Sequence, residues 1–173
     1  EQVSTLHDSF ARRFEYLRLS VTDVCNFKCQ YCLPEGYQKP SHIPPILTLP
    51  EIKRLVRAFA ELGVWKVRIT GGEPTARADL IQIASTIAQQ PGIQKVALRT
   101  NGGQFLQVAK TITAAGVNAV NISLDSTNAA RYKATTGATG YDKLLRSIYL
   151  SLQLGFKSVK VNVVLLKGLN NQD

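Results

Sequence analysis

Short apolar or alternating stretches recur along the chain, and segments with a helical period lie between most of them. The first stretch, 16–22 (YLRLSVT), alternates apolar and polar residues, as a half-buried strand does. The pattern predicts strands at 16–22, 66–70, 95–100, 119–124 and 158–167. It predicts helices at 47–63, 79–90, 104–115 and 141–154. Strand and helix therefore alternate along the chain.

Local signals support the predicted helix ends. Thr48 and Glu51 have the spacing of a capping box, in which the two residues satisfy free backbone N–H groups at a helix start. Gly63, Gly116 and Gly155 each end an apolar helical pattern, which is typical of glycine at the carboxyl end of a helix.

This alternation predicts an α/β fold with a parallel sheet and right-handed crossover helices. The sheet could be an open doubly wound sheet or part of a (β/α) barrel. In both architectures, ligands bind at the carboxyl ends of the strands. The chain has 173 residues, enough for one core, and we expect a single domain over 1–173.

Composition narrows the class of protein. Apolar residues make up 45% and charged residues 19% of the chain, which is ordinary for a soluble globular protein. The sequence has no apolar run of membrane-span length and nothing like a signal peptide, so we expect a cytoplasmic protein without a membrane partner. The net charge of +9 is compatible with a solvated basic surface or with a polyanionic partner such as a nucleotide. No nucleic-acid motif accompanies the charge, and we expect no nucleic acid partner.

Unusual local chemistry follows the ends of the predicted strands. The first strand leads into CNFKCQYC (25–32), the second into GGEPTAR (71–77) and the third into NGG (101–103). Ser123 and Asp125 lie at the end of the fourth. Because the carboxyl ends of parallel strands share one edge, these segments should meet there. The sequence therefore predicts one functional site at this rim.

All three cysteines lie in the first of these segments, as Cys25, Cys29 and Cys32. They could be core thiols, which pack as small apolar side chains. They could be zinc ligands, with His7 or His42 as the fourth. They could also hold a 4Fe-4S cluster, in which three thiolates leave one iron without a protein ligand and free to bind a chelating small molecule. The last interpretation explains why the segment has three cysteines and not four.

The spacing C-x3-C-x2-C, with Tyr31 before the last cysteine, resembles the signature of the radical S-adenosylmethionine (SAM) superfamily. Further motifs resemble the GTP 3′,8-cyclases of molybdenum cofactor biosynthesis. They are LRLSVTDVCNFKCQYCLP (17–34), VRITGGEPTAR (67–77), RTNG (99–102), VNISLDS (120–126) and VKVNVVLLKG (159–168). The cysteine motif identifies only the superfamily, whereas the ordered set is more specific.

The resemblance implies a fold, cofactors and a reaction. The fold would be a partial (β/α) barrel of the radical SAM type, and the cofactors would be a 4Fe-4S cluster and SAM, with an electron donor for the cluster. Reductive cleavage of SAM would give a 5′-deoxyadenosyl radical that takes hydrogen from C3′ of GTP, and C3′ would then bond to C8 of the guanine. The resemblance assigns the cluster to Cys25, Cys29 and Cys32.

The resemblance also assigns contacts to the two small molecules. The expected SAM contacts are Tyr31, Gly72, Glu73 and Ser123. The expected GTP contacts are Arg18, Arg68 and Lys160. These three cations lie within strands, and because a parallel sheet is normally covered on both faces they need an anionic partner. Arginine and lysine both suit phosphate.

The chain departs from the family pattern at three places. Arg99 stands where the family has a threonine that contacts GTP, and it would replace that contact with a charged one. The run after GGEP is Thr75 to Ala78 in place of a Leu-rich, doubly basic run, a change that we expect to alter packing more than chemistry. The family carries a second 4Fe-4S cluster in a later region, whereas this sequence has no cysteine after Cys32. We therefore expect an N-terminal core that stops after about five strands.

Two other function classes stay open at this point. One is a radical SAM enzyme that acts on a peptide or an RNA, although the strand cations favour a triphosphate. The other is a non-enzymatic zinc-binding module. The sequence also leaves a homodimer open.

Overall fold

The computed structural model describes residues 5–42 and 45–173, which form a parallel sheet covered by helices on one face. The five strands lie in consecutive order and every neighbouring pair is parallel. They are β1 (Tyr16–Ser20), β2 (Lys66–Thr70), β3 (Lys95–Thr100), β4 (Ala119–Ser123) and β5 (Ser158–Asn162). Because the strand order never reverses, right-handed crossovers place the connecting helices on the same side. This order is that of an incomplete barrel and not of a doubly wound sheet.

Helices of 8 to 13 residues cover this side of the sheet. They are α1 (Leu49–Glu61), α2 (Leu80–Ala88), α3 (Phe105–Ala114), α4 (Ala129–Thr136) and α5 (Tyr141–Gln153). A short 3-10 turn at Pro74–Ala76 follows β2. The capping box at the start of α1 is confirmed, since the backbone N–H of Thr48 donates to Oε2 of Glu51 at 2.8 Å.

The apolar core lies between the helices and one face of the sheet. Val67, Ile69, Leu98 and Ile122 alternate along their strands and are completely buried. Ile83 of α2 is buried in the same cluster. Burying one such side chain stabilises the fold by about 1.5–3 kcal/mol. The residues between them along the strands point to the opposite face, which is the side that the barrel would enclose.

The structure adds one helix that the sequence pattern did not predict. Helix α4 lies between β4 and α5, where apolar periodicity is weak. Its start is capped by the Asn128 side chain, which accepts hydrogen bonds from the backbone N–H groups of Ala130 and Arg131. Its end is Gly137, with φ of 69° in the left-handed region. These two end signals are visible in the sequence and were the available evidence for the helix.

The fifth strand is shorter than predicted, because β5 ends at Asn162 and not at 167. The backbone N–H of Val164 donates to Oδ1 of Asp125 at 3.0 Å and so leaves the ladder. The side chain of Asn170 donates to the carbonyl oxygens of Val164, at 2.8 Å, and Asp125, at 2.5 Å. These polar side chains turn the chain away from the sheet, although the run is apolar enough to continue the strand.

The length and apolar character of the helices bear on the prediction of no membrane-spanning segment. In residues 5–42 and 45–173, no helix combines the length and the apolar character needed to cross a bilayer.

Candidate active site and cofactor cavity

A cavity of about 230 Å³ opens at the carboxyl ends of the strands. It is lined by residues from the cysteine segment and from the ends of β2, β3 and β4, so the predicted rim exists. Eight of the predicted site residues line it: Cys25, Cys29, Tyr31, Cys32, Gly72, Glu73, Arg99 and Ser123. The other three, Arg18, Arg68 and Lys160, do not. The structure therefore divides the predicted set into a cavity group and a sheet-face group.

The Gly71–Gly72 pair is required by a close backbone approach. A Cβ on Gly71 would lie 2.3 Å from the carbonyl oxygen of Thr22, and one on Gly72 would lie 2.4 Å from that of Val24. The backbone N–H of Gly72 donates to Thr22 at 2.8 Å, and that of Glu73 donates to Val24 at 2.8 Å. The glycines thus let this segment pair with the chain just before Cys25. They fix where the cysteine loop begins.

The far side of the cysteine loop rests on the end of α4. Backbone N–H groups of Lys28 and Gln30 donate to the carbonyl oxygens of Thr136 and Thr135, both at 3.0 Å. The amide of Gln30 also donates to the carbonyl of Ala134 at 2.7 Å. The last carbonyls of a helix have no partners within it, and here the loop supplies those partners. The helix that the sequence pattern missed is therefore the support for the cysteine loop.

The three cysteines are free thiols that face one cavity. Cys25 and Cys29 are half-buried, whereas Cys32 is exposed. Burial raises the pKa of the Cys25 thiol, and it raises the pKa of Cys29 to about 11. Thiols with raised pKa values stay protonated at neutral pH, so loading a metal centre here would release protons.

The donor set fits an iron–sulfur cluster better than a single zinc ion. Across the described ranges, no three side chains of the His, Cys, Asp and Glu types converge closely enough for one metal ion. Neither His7 nor His42 lines the cavity, and the Nδ1 atom of His7 lies 2.9 Å from the backbone carbonyl oxygen of Thr5. Thiolates are the ligands of 4Fe-4S clusters, and three of them around an open cavity leave one metal position accessible.

Tyr31 is anchored to a buried carboxylate. Its phenol donates a 2.6 Å hydrogen bond to Oδ2 of Asp125, a residue that is only 2% exposed. Burial, and then the Asp125 carboxylate, raise the pKa of Tyr31 above its ordinary range. The phenol therefore stays protonated and keeps donating. The sequence placed Asp125 at the rim without a role, because nothing in the pattern shows which distant side chain it binds.

Glu73 is completely buried and both of its oxygens are used by the protein. Oε1 accepts from the backbone N–H and the hydroxyl of Thr75, at 3.1 and 2.6 Å, and from the hydroxyl of Thr100 at 2.8 Å. Oε2 accepts from the backbone N–H of Asn101 at 2.6 Å. Glu73 thus ties the loop after β2 to the end of β3. The predicted SAM contact of Glu73 stays a prediction, and this positioning role is what the geometry shows.

The sheet-face group lies on the side of the sheet opposite the apolar core. Arg18 and Arg68 are in register on β1 and β2. Lys160 is in register with Asn121, which is in register with Arg99 of β3. Arg99 also lines the cavity, so it lies between the cysteine segment and the cationic face. The two groups of predicted residues are therefore continuous through Arg99.

Arg68 has an unmet hydrogen-bonding atom. Within the described part of the chain, its Nε is buried and has no acceptor. The ion pairs found in those same ranges involve the cations Arg12, Arg57, Arg77 and Arg131, and none involves Arg18, Arg68 or Lys160. Buried polar groups are normally paired, so this face is suited to an anion that the protein itself does not supply.

Comparison with known sequences agrees with the resemblance drawn from the sequence motifs. The family model described as "Radical SAM superfamily" matches residues 19–173. A GTP 3′,8-cyclase of Psychromonas ingrahamii is 52% identical over 168 residues, which are 97% of this chain and 49% of that protein. A GTP 3′,8-cyclase of Aeromonas hydrophila is 49% identical over 98% of this chain and 51% of that protein. The chain thus spans about half the length of the curated relatives it matches.

Comparison with solved structures supports the fold. Streptococcus suis SuiB bound to S-adenosylmethionine superposes with a TM-score of 0.72 and 21% identity, over 88% of this chain and 34% of that chain. HydG, a maturase of the [FeFe]-hydrogenase, superposes with a TM-score of 0.69 and 19% identity, over 86% of this chain and 34% of that chain. At these identities the likeness shows a shared architecture. Together with the family match and the cysteine cavity, it leads to one conclusion: the chain belongs to the radical SAM superfamily.

Proposed function

We propose that this chain is the SAM- and cluster-binding core of a GTP 3′,8-cyclase, the lyase that begins molybdenum cofactor biosynthesis. The observation that carries the proposal is the continuity, through Arg99, between the cysteine cavity and a sheet face whose cations make no ion pair among the described residues. Relatives named GTP 3′,8-cyclase, at 52% and 48% identity, support the same assignment.

The cavity group would hold the cofactors. Cys25, Cys29 and Cys32 would hold a 4Fe-4S cluster and leave one iron for SAM. When bound, the cluster and SAM supply one-electron cleavage of the sulfonium, which starts the radical reaction. The chain itself contributes position, since the cysteine loop is held on one side by the Gly71–Gly72 segment and on the other by α4.

The remaining cavity residues would orient SAM. The Tyr31 ring would lie against the adenosyl group, and its hydrogen bond to Asp125 fixes the ring before any ligand arrives. Gly72 would leave space for the methionyl group beside its backbone, and Ser123 would contact SAM from the end of β4. Prior orientation of this kind is a large part of the rate enhancement in any two-reactant step.

The sheet-face group would hold the triphosphate of GTP. Arg18, Arg68 and Lys160 face the same side, with no carboxylate paired to them in the described ranges. Arg99 would contact the same substrate nearer the cavity, in place of the family threonine. With phosphates on this face, the ribose would lie towards the cavity, where hydrogen abstraction takes place.

Further parts of the proposal concern components outside the described site. An external electron donor would reduce the cluster, and the protein would act in the cytoplasm, as a monomer or as a homodimer. A second 4Fe-4S cluster would hold the guanine, as the resemblance implies, and no cysteine after Cys32 in this sequence could supply it. The domain assignment of 1–173 as the core belongs to the same proposal.

The test is anaerobic reconstitution of the chain, followed by binding measurements. We expect about four irons per chain, lost on Cys25→Ala, Cys29→Ala or Cys32→Ala, and a change in the EPR spectrum of the reduced cluster on addition of SAM. In the full-length protein, we expect Arg68→Ala to weaken GTP binding at least about tenfold, since a charge-assisted contact contributes about 1.5–3 kcal/mol. SAM binding should not change.

The matched control is Lys110→Ala, which removes an exposed cation from α3 on the helical side of the sheet. It should leave GTP and SAM binding unchanged. In the full-length protein, binding of SAM without any binding of GTP would contradict the substrate, and would favour a radical SAM enzyme for a peptide or an RNA. Stoichiometric zinc in a colourless preparation, with no iron retained, would contradict the cluster.

A further inference from the structure

The cationic face continues beyond the residues assigned to GTP. Lys66 and Lys95 lie opposite each other in the register of β2 and β3. Lys66 is two residues before Arg68, so the two side chains share a face. From Arg99 to Lys95 along β3 is four residues, or roughly 13 Å at the usual rise of a strand. The face therefore carries cations from the cavity to the amino-terminal ends of the strands.

An aromatic ring holds two of these cations. Tyr16 is in register with Lys66 at the start of β1. The Nζ atom of Lys66 lies 4.6 Å from the centroid of the Tyr16 ring, and the Cζ atom of Arg68 lies 5.2 Å from it. Both distances are within the range of cation–π attraction. The ring thus fixes the directions of two flexible cationic side chains at once.

The cations lie close enough to destabilise one another. Burial lowers the pKa of Lys66, and the charges of Arg68, Lys95 and Lys160 lower it further. Lys160 contributes although β3 and β4 lie between its strand and that of Lys66 in the sheet. No ion pair of the described residues involves any of these cations. A polyanion with several charges would relieve the repulsion.

We propose that Lys95 and Tyr16 determine how many phosphates the site accepts. Lys95, together with Lys66, contacts the terminal phosphate of the chain, and Tyr16 is a positioning residue that holds Lys66 and Arg68 towards it. This inference rests on the proposed function, since it takes the triphosphate to lie along this face with the ribose at the cavity. It adds a subsite at the amino-terminal end, where a diphosphate would not reach.

GTP and GDP test this subsite without any catalysis, because they share the nucleoside that the cavity would hold and differ only in the third phosphate. Binding of each nucleotide to the full-length protein is measured by calorimetry for the parent and for Lys95→Gln, Tyr16→Leu and Tyr16→Phe. We expect Lys95→Gln and Tyr16→Leu to weaken GTP binding about tenfold, the effect of losing one charge-assisted contact. GDP binding should change much less, and Tyr16→Phe, which keeps the ring, should retain the parent affinity for GTP. Lys110→Ala is the matched loss of a distant cation and should change neither.

In the full-length enzyme, the same variants should raise the KM for GTP and leave kcat nearly unchanged. Equal GTP affinity in the parent, Lys95→Gln and Tyr16→Leu would overturn the subsite while leaving GTP as the substrate. Equal losses for GTP and GDP would show a general charge effect and would also overturn it. No binding of GTP by the parent would contradict both this subsite and the assignment of the face to GTP. Thermal melting of each variant identifies any that fails to fold, and Tyr16→Phe against Tyr16→Leu still decides the role of the ring.

Discussion

The phenol of Tyr31 donates a 2.6 Å hydrogen bond to the carboxylate of Asp125, 94 positions further along the chain. This bond joins the cysteine loop to the end of β4. The other oxygen of Asp125 accepts from the backbone of Val164, so one carboxylate connects three segments that are distant in sequence. The rim of the cavity is therefore held together by side chains as well as by the sheet.

Removing the Tyr31 hydroxyl should destabilise the metal-free chain. Tyr31→Phe leaves one oxygen of a buried carboxylate without a partner, at a cost of about 1–3 kcal/mol in the free energy of unfolding. Urea unfolding of Tyr31→Phe, Asp125→Asn and the double variant gives the coupling between the two side chains. We expect a coupling of about 0.5–3 kcal/mol, as for residues in direct contact. Purely additive effects would show that the bond does not form in solution.

Glu73→Gln should destabilise the chain by about 1.5–3 kcal/mol, because an acceptor-only carboxylate becomes an amide with one donor end among donors. Thr100 and Asn101 both donate to this carboxylate, and one of them would then face an N–H group. The matched control is Glu61→Gln on α1, whose ion pair with Arg57 is exposed and contributes only about 0.3–0.5 kcal/mol. Chemical unfolding measures both. A smaller effect for Glu73→Gln than for Glu61→Gln would contradict the role of Glu73 as a tie between loops.

Gly72→Ala should lower iron retention as well as stability. Its Cβ would meet the carbonyl oxygens of Val24 and Asp23 at 2.4 and 2.5 Å, and backbone atoms cannot move aside as a flexible side chain can. Forced overpacking costs about 1–3 kcal/mol and here displaces the start of the cysteine loop. The control is Gly140→Ala, where the nearest atom lies 3.9 Å away and φ is −88°. Iron per chain after anaerobic reconstitution should fall for the first variant and stay at the parent value for the second.

Acid should weaken the set of contacts that Arg77 makes with Asp79 and with two backbone carbonyl groups. This side chain is 8% exposed and donates to the carbonyl oxygens of Val21 and Leu47 and to the Asp79 carboxylate. The hydrogen bond from Arg77 lowers the pKa of Asp79 below its ordinary value. A lowered folded-state pKa gives stability that is fully present above the unfolded pKa, about 3.9, and is lost as pH falls through the folded value.

The measurement is the free energy of unfolding between neutral pH and acid, for the parent and for Asp79→Asn. The variant should be less stable at neutral pH, and the difference should shrink as the pH falls below about 4. Asp142→Asn, in the first turn of α5, is the matched loss of an exposed carboxylate. A constant difference between the parent and Asp79→Asn across this range would show that the Asp79 charge does not stabilise the fold.

The sequence predicted the strands and the rim because both depend on local pattern. Strands β2 and β3 have the predicted bounds, since their apolar residues alternate or run continuously between clear turn signals. Helix α4 was missed because its apolar pattern is weak. Its role in the site comes from contacts with the cysteine loop, which lies more than one hundred positions away. Strand β5 was predicted too long, also because of long-range contacts. Its apolar run favoured a longer strand, and the hydrogen bonds of Asp125 and Asn170 end it earlier.

Within the site, residue types were predictable and their partners were not. The three cysteines could be predicted from their spacing, and the Gly-Gly pair from the backbone conformation that glycine allows. The partner of Gly72 is the backbone at Val24, and that of Tyr31 is Asp125, contacts that only the folded chain shows. The departure of the run Thr75 to Ala78 from the family pattern was expected to alter packing more than chemistry, and this stays a prediction. Within that run, Arg77 makes hydrogen bonds to the carbonyl oxygens of Val21 and Leu47 that the sequence did not indicate.

Side chains along a strand alternate between its two faces. The residues that pack the core are therefore separate from those on the face proposed to bind ligands. On β3, Leu98 and Thr100 are almost completely buried, while Lys95 and Arg99 lie on the opposite face of the strand and are partly exposed. A substitution at an odd position such as 99 can therefore change ligand chemistry without repacking the core. If the resemblance is right that related enzymes have a threonine here, Arg99 is one such change. Substitutions at alternate strand positions can in this way change the substrate of the same scaffold, while the residues that stabilise the fold stay unchanged.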